Sequence, residues 1–357
     1  MSVFKNRITK VKKFDVIIYA PNIKIGGGLV LLTTLINQMP QSLNVLSILN
    51  KDLKNAFQLD SMYFVSSSLF GRIKAEILVK RLSRQSENVF CFHGSPTLFT
   101  TKCRQSIYIQ NALLIEPISK KNYSINTRVR LWIESILLKL KLNDMACCYV
   151  QTITMKKKLI RFCENKNLQV PNILIKPLMP NFNEQYKAES FDKEIDFVYP
   201  ADHQPHKNLE NLFLAWQMLA EIGIRPCLVV TLDDNTFQTL KKTIRFEEMR
   251  VNILNYGVIN YEDMQKLYRK SKVLIFPSLL ESFGLPLIEA SQMGLQILAS
   301  DKDFVYDVCN PTDTFDPDSV QSIVSAVKRF KDVKTDTRIP FIKKDFWKTF
   351  MTKELVE

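Results

Sequence analysis

The sequence predicts an α/β fold made of two doubly wound, Rossmann-like domains. Short apolar runs rich in β-branched residues alternate with segments of helical period along the chain, which is typical of parallel sheets flanked by helices. The chain has 357 residues, more than one hydrophobic core usually organises, so two domains are expected. A composition with 46% hydrophobic and 24% charged residues excludes a disordered or fibrous chain.

Ten apolar runs are predicted to be strands, five in each half of the chain. In the first half they are FDVIIYA, LNVLSIL, NVFCF, SIYIQ and ACCYV, and in the second IDFVYP, PCLVVTL, VNILN, KVLIFP and LQILAS. The segment between the halves is rich in proline, asparagine and charge, which indicates a linker. The predicted parts are an N-terminal domain over residues 1–180, a linker over 181–193, a C-terminal domain over 194–335 and a helical segment over 336–357. In that last segment aromatic residues recur at helical spacing, and its expected partner is the N-terminal domain.

The apolar runs, the N-terminal residues and the cysteines indicate the cellular compartment in which the protein is expected. No apolar run reaches the roughly 18 residues that span a bilayer, and the first residues lack the apolar stretch of a secretory signal. The seven cysteines are an odd number without a C-x-x-C pair, and most lie in apolar runs, so we interpret them as reduced core residues. Three histidines without H-x3-H spacing argue against a zinc site. We therefore expect a cytoplasmic protein.

Basic charge is concentrated in the first half of the chain. The whole chain has a net charge of +13. Residues 1–180 hold 27 of its 49 Lys and Arg side chains but only 9 of its 36 Asp and Glu side chains. Such a domain attracts polyanions. No nucleic-acid-binding motif accompanies the charge, so we expect an anionic membrane surface or a pyrophosphate-bearing lipid and no nucleic acid. Two basic amphipathic segments, residues 71–85 and 126–144, are candidates for that contact, the first being favoured; alternatively their apolar stripes pack on the N-terminal sheet.

The strongest functional signal is the segment 272–301, in which a predicted strand is followed by a loop and then by a helix. Backbone N–H groups at the helix start carry partial positive charge that suits a diphosphate. Glu289, about a turn into the helix, can accept hydrogen bonds from two ribose hydroxyls, and Glu281 in the loop from those of a sugar ring. Alternatively both acids are solvated charges beside a routine turn. The nucleotide-binding residues predicted here are Ser282, Phe283, Gly284, Leu285 and Glu289.

The ten residues from Glu281 to Ala290, E-S-F-G-L-P-L-I-E-A, carry a family resemblance. They resemble the signature of glycosyltransferase family 4, a family of retaining enzymes with the GT-B fold, in which two Rossmann-like domains face a cleft. In that family the first Glu contacts the donor sugar and the second contacts the ribose. The resemblance therefore implies a catalytic role for Glu281 and a ribose contact for Glu289.

A second segment, FVYPADHQPHKNLENLFLAW over residues 197–216, resembles the family's phosphate-clamping segment. Lys207 lies at the predicted turn from strand to helix, where its charge can stabilise a leaving diphosphate, so we expect it to be catalytic. The family usually has an Arg five residues earlier, but Asp202 occupies that position here. Lys207 alone, Lys207 with His206, or a basic residue from elsewhere then completes the clamp. The alternative is that both are ordinary helix-start residues.

In the N-terminal half, Gly26, Gly27 and Gly28 separate a predicted strand from a predicted helix. They do not form the G-x-G-x-x-G pattern of a dinucleotide site, and a tight turn is the alternative interpretation. The family resemblance implies that this loop lies across the cleft from Glu281. Gly27 and Gly28 are then expected at the donor phosphates and Gly26 toward the acceptor.

Polar residues also follow two other strands of the N-terminal half. His93 ends a strand, at the edge where an open α/β sheet faces its ligand crevice. The resemblance implies that it contacts the donor sugar, so His93 joins the predicted catalytic residues, the alternative being a structural histidine. Tyr108, Gln110 and Asn111 end the next strand and are predicted to line the acceptor side.

The resemblance implies a metal-independent, retaining hexosyltransferase that uses a nucleotide sugar. Together with the basic charge of the first half, it leads us to expect a lipid-linked saccharide acceptor at the inner face of the cytoplasmic membrane. O-antigen, capsule or another surface polysaccharide is the expected product. No cofactor and no metal are expected: Asp301-Lys302-Asp303 follows a strand, but the family has an Asp there without a metal role. The alternatives are a hydrolysing epimerase and a catalytically silent nucleotide-sugar-binding partner.

Overall fold

The computed structural model describes residues 14–57, 60–116, 123–180, 192–330 and 346–351, and it confirms the predicted α/β fold with two parallel sheets. The strands of the first sheet are β1 (Phe14–Ala20), β2 (Val45–Asn50), β3 (Met62–Val65), β4 (Ser86–Phe92), β5 (Arg104–Tyr108), β6 (Cys147–Val150) and β7 (Ile173–Ile175). Between them lie the helices α1 (Gly26–Asn37), α2 (Leu69–Leu82), α3 (Ile125–Lys141) and α4 (Ile153–Asn165).

The second sheet follows in sequence. Its strands are β8 (Ile195–Tyr199), β9 (Leu228–Val230), β10 (Ile253–Asn255), β11 (Ser271–Phe276), β12 (Gln296–Ser300) and β13 (Asp313–Phe315). The helices are α5 (Leu209–Glu221), α6 (Asp234–Lys241), α7 (Tyr261–Arg269), α8 (Leu285–Gln292), α9 (Asp303–Tyr306), α10 (Val320–Arg329) and, after a gap, α11 (Phe346–Met351). The predicted linker over residues 181–193 lies outside the described ranges apart from its last two positions.

Both sheets have the same strand order around their centres. The first is ordered β3-β2-β1-β4-β5-β6-β7 and the second β10-β9-β8-β11-β12-β13. In each sheet the order reverses between two neighbouring central strands, β1 and β4 in the first and β8 and β11 in the second. Open α/β sheets bind ligands outside the carboxyl ends of their strands at such a switch point. The two switch points therefore locate the candidate site.

The central strands are apolar on both faces because both faces are covered. Ile17 of β1 enters a cluster with side chains of α2 and α4, such as Val79 and Leu159. Its neighbour Ile18 enters a separate cluster on the other face, with side chains of α1 such as Leu32. Side chains alternate across a strand, so a continuous apolar run fills both layers.

All ten predicted strands are present. The structure also has three strands that the sequence analysis does not predict. These are β3, β7 and β13, which contain three or four residues each and lie at the edges of their sheets. An edge strand is covered incompletely and does not need a continuous apolar run. These three short edge strands therefore leave little signal in the sequence, whereas β10, also a three-residue edge strand, is predicted from its apolar run.

The last described helix, α11, packs on the first sheet. Trp347 is fully buried and donates a hydrogen bond from Nε1 to the carbonyl of Leu35 in α1 at 2.8 Å. The rings of Phe346 and Phe350 contact that of Phe90 in β4, with centroids 5.7 and 4.9 Å apart. The expected return of the C-terminal helix to the N-terminal domain is confirmed.

Direct contacts hold the carboxyl edges of the two sheets against each other. The Oδ2 atom of Asp307, just after α9, accepts a hydrogen bond from the backbone N of Thr154 at 2.7 Å, in the first turn of α4. The Thr152 hydroxyl donates to the carbonyl of Ser282 at 3.4 Å. A carboxylate at a helix N-terminus is electrostatically favourable, so Asp307 fastens the second domain to the first.

Candidate active site

Three helix N-termini beside the switch points lack a side-chain cap. These belong to α1, α5 and α8, which follow β1, β8 and β11. Every other helix of eight or more residues in the described ranges has a Ser, Thr, Asp or Asn side chain that accepts a hydrogen bond from its first turn. Side chains do not compete for the first-turn N–H groups of these three helices, an arrangement that suits a diphosphate. In α8, Pro286 has no N–H and Leu287 donates its N–H to the carbonyl of Gly284 at 2.9 Å, so Leu285 supplies the N–H that can meet a ligand.

Lys207 and Glu281 form an ion pair at the switch point of the second sheet. Lys207 Nζ lies 2.6 Å from Glu281 Oε1, and the two side chains are only 15% and 12% exposed. Burial alone would lower the pKa of Lys207, but the carboxylates of Glu281 and Asp202 outweigh it and raise the pKa above its ordinary value. Lys207 therefore stays charged, and two of the predicted catalytic groups lie in one place.

Two side chains fix the backbone around Lys207. Tyr199, the last residue of β8, donates from its hydroxyl to the carbonyl of Lys207 at 2.9 Å. Asn208 adopts the left-handed backbone conformation with φ 59, and its Nδ2 donates to the carbonyls of Pro277 at 3.2 Å and Pro317 at 2.7 Å. The turn that carries Lys207 is therefore tied to the loop after β11.

Glu289 is buried one turn into α8. It is 7% exposed, and its Oε2 accepts a hydrogen bond from the hydroxyl of Tyr268 at 2.9 Å. Burial raises the pKa of Glu289 to about 7, and the Tyr268 hydrogen bond offsets this only in part. The carboxyl group therefore gains and loses its proton near neutral pH.

Replacing Glu289 by Gln is expected to remove a pH dependence of stability. In the unfolded chain Glu289 ionises near pH 4.5, and in the folded protein near pH 7. The carboxyl group stabilises the fold fully below the unfolded pKa, and this stabilisation is lost as the pH rises to the folded pKa. The free energy of unfolding is measured by urea titration at about pH 5 and at about pH 8. From the lower to the higher pH, that of the wild type should fall by about 2–3 kcal/mol relative to that of Glu289→Gln. A constant difference would contradict the raised pKa.

The glycine loop contacts both the start of α8 and His93. A Cβ atom added at Gly27 would lie 3.3 Å from Cδ1 of Leu285, and one added at Gly28 would lie 3.2 Å from Cδ2 of His93. Gly26 begins α1 with φ +70, a conformation that glycine adopts without strain. The structure thus brings predicted site residues of both domains together.

His93 lies at the switch point of the first sheet, directly after β4. Its backbone has φ 87, a conformation that is uncommon for a residue with a Cβ atom. Burial, and then the guanidinium of Arg130, lower its pKa, so the imidazole is neutral at pH 7. Arg130 lies in α3, and no motif in the sequence marks it as a site residue.

His206 contacts the first domain. Its Nδ1 lies 2.8 Å from the hydroxyl of Tyr123, and the two rings are stacked with centroids 6.4 Å apart. Burial, and then the charge of Lys207, lower the pKa of His206. Tyr123 precedes α3 and belongs to no recognisable motif, so only the fold shows that it reaches the site.

One predicted acceptor residue belongs to the core. Tyr108 is fully buried, contacts the rings of Phe90 and Phe346, and donates from its hydroxyl to the carbonyl of Lys176 at 2.7 Å. The prediction that Tyr108 lines the acceptor side is therefore wrong. Its side chain points to the face of the sheet that α11 covers.

The residues after Tyr108 lie closer to the cleft. Gln110 is buried, with 9% of its surface exposed. Asn111 accepts a hydrogen bond from the backbone N of Leu113 at 3.0 Å and thereby caps the next turn. In the second domain, the Phe283 side chain is 2% exposed and lies in the hydrophobic core around the second sheet. Only the backbone of Phe283 can therefore meet a ligand.

Two parallel-sheet domains whose switch points face one cleft make the GT-B fold. HepE of Anabaena, whose crystal structure is in complex with UDP and glucose, superposes with a TM-score of 0.65 at 12% identity, over 88% of this chain and 89% of that one. Residues 181–343 match the family model of group 1 glycosyl transferases. The matched segment includes Lys207, Glu281 and Glu289.

Two bacterial proteins are similar to parts of the chain. The serotype-specific mannosyltransferase WbdA of Escherichia coli is 33% identical over 126 residues, which make up 34% of this chain and 15% of WbdA. The O-antigen chain mannosyltransferase RfbU of Salmonella typhimurium is 23% identical over 197 residues, 54% of each chain. The chain thus matches a small part of WbdA and about half of RfbU.

Proposed function

We propose that the protein is a retaining glycosyltransferase of family 4. It moves a hexosyl group from a nucleotide sugar to a lipid-linked saccharide, in the synthesis of O-antigen, capsule or another surface polysaccharide. The observation that carries the proposal is the Lys207–Glu281 ion pair beside the uncapped start of α8, with Glu289 one turn further. The names of the two mannosyltransferases support a hexose, and the signature ending at Ala290 supports family 4.

A cavity near Glu289 suits the nucleoside part of the donor. It has a volume of 370 Å³ and is lined by side chains of α1 together with Pro180 and Tyr261. Burial, and then the Glu289 carboxylate, raise the pKa of Tyr261, so these two side chains are close. A nucleoside in this cavity has its ribose at Glu289 and its diphosphate toward Lys207.

Stabilisation of the leaving diphosphate drives the proposed reaction. As the bond between the anomeric carbon and the diphosphate oxygen breaks, Lys207 and the N–H of Leu285 at the start of α8 stabilise the growing negative charge. The acceptor hydroxyl bonds to the anomeric carbon on the same face, which keeps its configuration, and its proton passes to the leaving phosphate. As Lys207 turns to the diphosphate, Glu281 is released to accept hydrogen bonds from the sugar. Lys207 and the helix start supply positive charge that a metal supplies in other enzymes, so we propose metal-independent transfer.

Exposed apolar and basic side chains on α2 and α3 support membrane contact. Phe70 in α2 is 84% exposed and Trp132 in α3 is 64% exposed. Trp132 and Arg128 line a surface groove of 480 Å³. We propose that this face binds anionic headgroups at the inner face of the cytoplasmic membrane, where a lipid-linked acceptor is presented. Among the helices described, none is long and apolar enough to cross a membrane.

Labelled nucleotide sugars test the proposed function. UDP-, GDP- and dTDP-hexoses are screened by thermal shift, since a bound donor raises Tm by mass action. The selected donor is then incubated with the protein, with and without a bacterial lipid extract. We expect transfer only with the extract, with retention of configuration by NMR and no effect of excess EDTA. Free sugar released without extract would indicate an epimerase, and stabilisation without turnover a silent binding partner.

A further inference from the structure

Two buried glutamines follow neighbouring strands at the carboxyl edge of the first sheet. Gln110 follows β5 and Gln151 follows β6, and these neighbouring parallel strands pair Tyr108 with Tyr149. Gln110 and Gln151 each lie two residues after this pair, and the ladder continues past it through the hydrogen bond from Ile109 N to the carbonyl of Tyr149 at 2.9 Å. Gln110 is 9% exposed and Gln151 is 0% exposed. Within the described ranges, neither Nε2 nor Oε1 of either side chain has a hydrogen-bond partner.

This amide pair, Gln110 and Gln151, lies where the two domains meet. On one side is the turn after β4, because a Cβ atom added at Gly94 would lie 3.9 Å from the backbone N of Gln110. On the other side is the loop after β11. Thr152, the residue after Gln151, donates its hydroxyl hydrogen bond to Ser282 in that loop. The pair is thus flanked by the elements that carry His93 and Glu281.

The chemistry of two primary amides selects a neutral polar ligand. Each amide has two N–H donors and a carbonyl acceptor, and burying them without partners destabilises the folded protein. A phosphate would satisfy the N–H groups but not the carbonyls. Hydroxyl groups donate and accept, so adjacent hydroxyls on one ring satisfy both atoms of each amide.

We propose that the amide pair is a subsite that binds the ring hydroxyls of a sugar. The expectation of a sugar rests on the proposed function. The ring belongs to the transferred sugar or to the acceptor, which offer the same chemistry, and the kinetic measurements below distinguish the two. Gln151 has this role although the sequence gives no signal for it.

Substitution by Met keeps the length of each side chain and removes its amide. For Gln110→Met and Gln151→Met we expect Tm to stay constant or to rise by about 2–4 °C, because an unpaired buried amide disappears. Gln105→Met is the matched control on β5. Gln105 is also buried, but its Nε2 donates to the Thr97 hydroxyl at 2.6 Å, so this variant should have a lower Tm.

Sugar binding is measured directly by saturation-transfer NMR with methyl α-D-mannopyranoside and methyl α-D-glucopyranoside, with glycerol as the blank. We expect the wild type and Gln105→Met to bind at least one glycoside, and Gln110→Met and Gln151→Met to bind it about tenfold more weakly. In turnover assays, a higher KM for the nucleotide sugar places the ring in the donor. A higher KM for the lipid extract places it in the acceptor.

The subsite is refuted if both Met variants bind the glycosides as the wild type does, or if the wild type gives no signal above glycerol. A Tm decrease like that of Gln105→Met would also overturn it, because the amides would then be satisfied within the protein. The NMR and Tm measurements need no turnover. An absence of transfer activity would therefore count against the proposed function alone.

Discussion

Replacing Lys207 by Ala is expected to lower kcat by about 10³-fold, because the diphosphate then leaves without its charged partner. The Nζ of Lys207 is the charged group nearest to Glu281 at the switch point, 2.6 Å from its Oε1. Removing it also leaves a largely buried carboxylate without its ion pair, which disfavours the arrival of an anionic donor. Release of nucleoside diphosphate under saturating donor and acceptor measures the effect.

Lys272 provides a matched control. Its Nζ lies 2.8 Å from Asp196 Oδ1, but the side chain is 42% exposed and lies near the amino end of β11, away from the switch point. Exposed ion pairs contribute little, so Lys272→Ala should keep kcat within about twofold of the wild type. A Lys207→Ala variant that is as active as Lys272→Ala would remove Lys207 from the mechanism.

Replacing Trp347 by Ala is expected to lower the free energy of unfolding by about 3–5 kcal/mol. The side chain is fully buried, and its Nε1 donates to Leu35 in α1, so the variant loses both packing and a hydrogen bond. Urea denaturation followed by circular dichroism measures the change.

Trp132 is the control for that substitution. It is 64% exposed on α3, so Trp132→Ala should change the free energy of unfolding by less than about 0.5 kcal/mol. Equal losses for the two variants would show that α11 does not stabilise the first domain. The comparison distinguishes the effect of losing a buried tryptophan on the free energy of unfolding from the effect of losing an exposed one.

Local patterns predict the strand, loop and helix at the site. The apolar run before Pro277 and the glycine and proline at the helix start define these elements within a few residues. In the structure β11 ends at Phe276 and α8 begins at Leu285, with Glu289 one turn further. The central strands are equally clear because both faces are buried, and each face requires apolar residues.

Contacts between distant residues leave no such pattern. Lys207 and Glu281 are 74 residues apart in sequence, and they meet because β8 and β11 are neighbours. The end of a strand predicts where a backbone lies but not which face its side chain takes, and Tyr108 is misassigned for that reason. The raised pKa of Glu289 likewise depends on burial that only the assembled core defines.

The return of the chain at α11 has a consequence for synthesis on the ribosome. The strands and helices of the second sheet, residues 195–329, are made after the first sheet and before Trp347. Until that tryptophan emerges, the aromatic face around Phe90 and Tyr149 lacks its cover. Chains generally fold from the N-terminus as they emerge. Here the part that is translated first is the last to be completed.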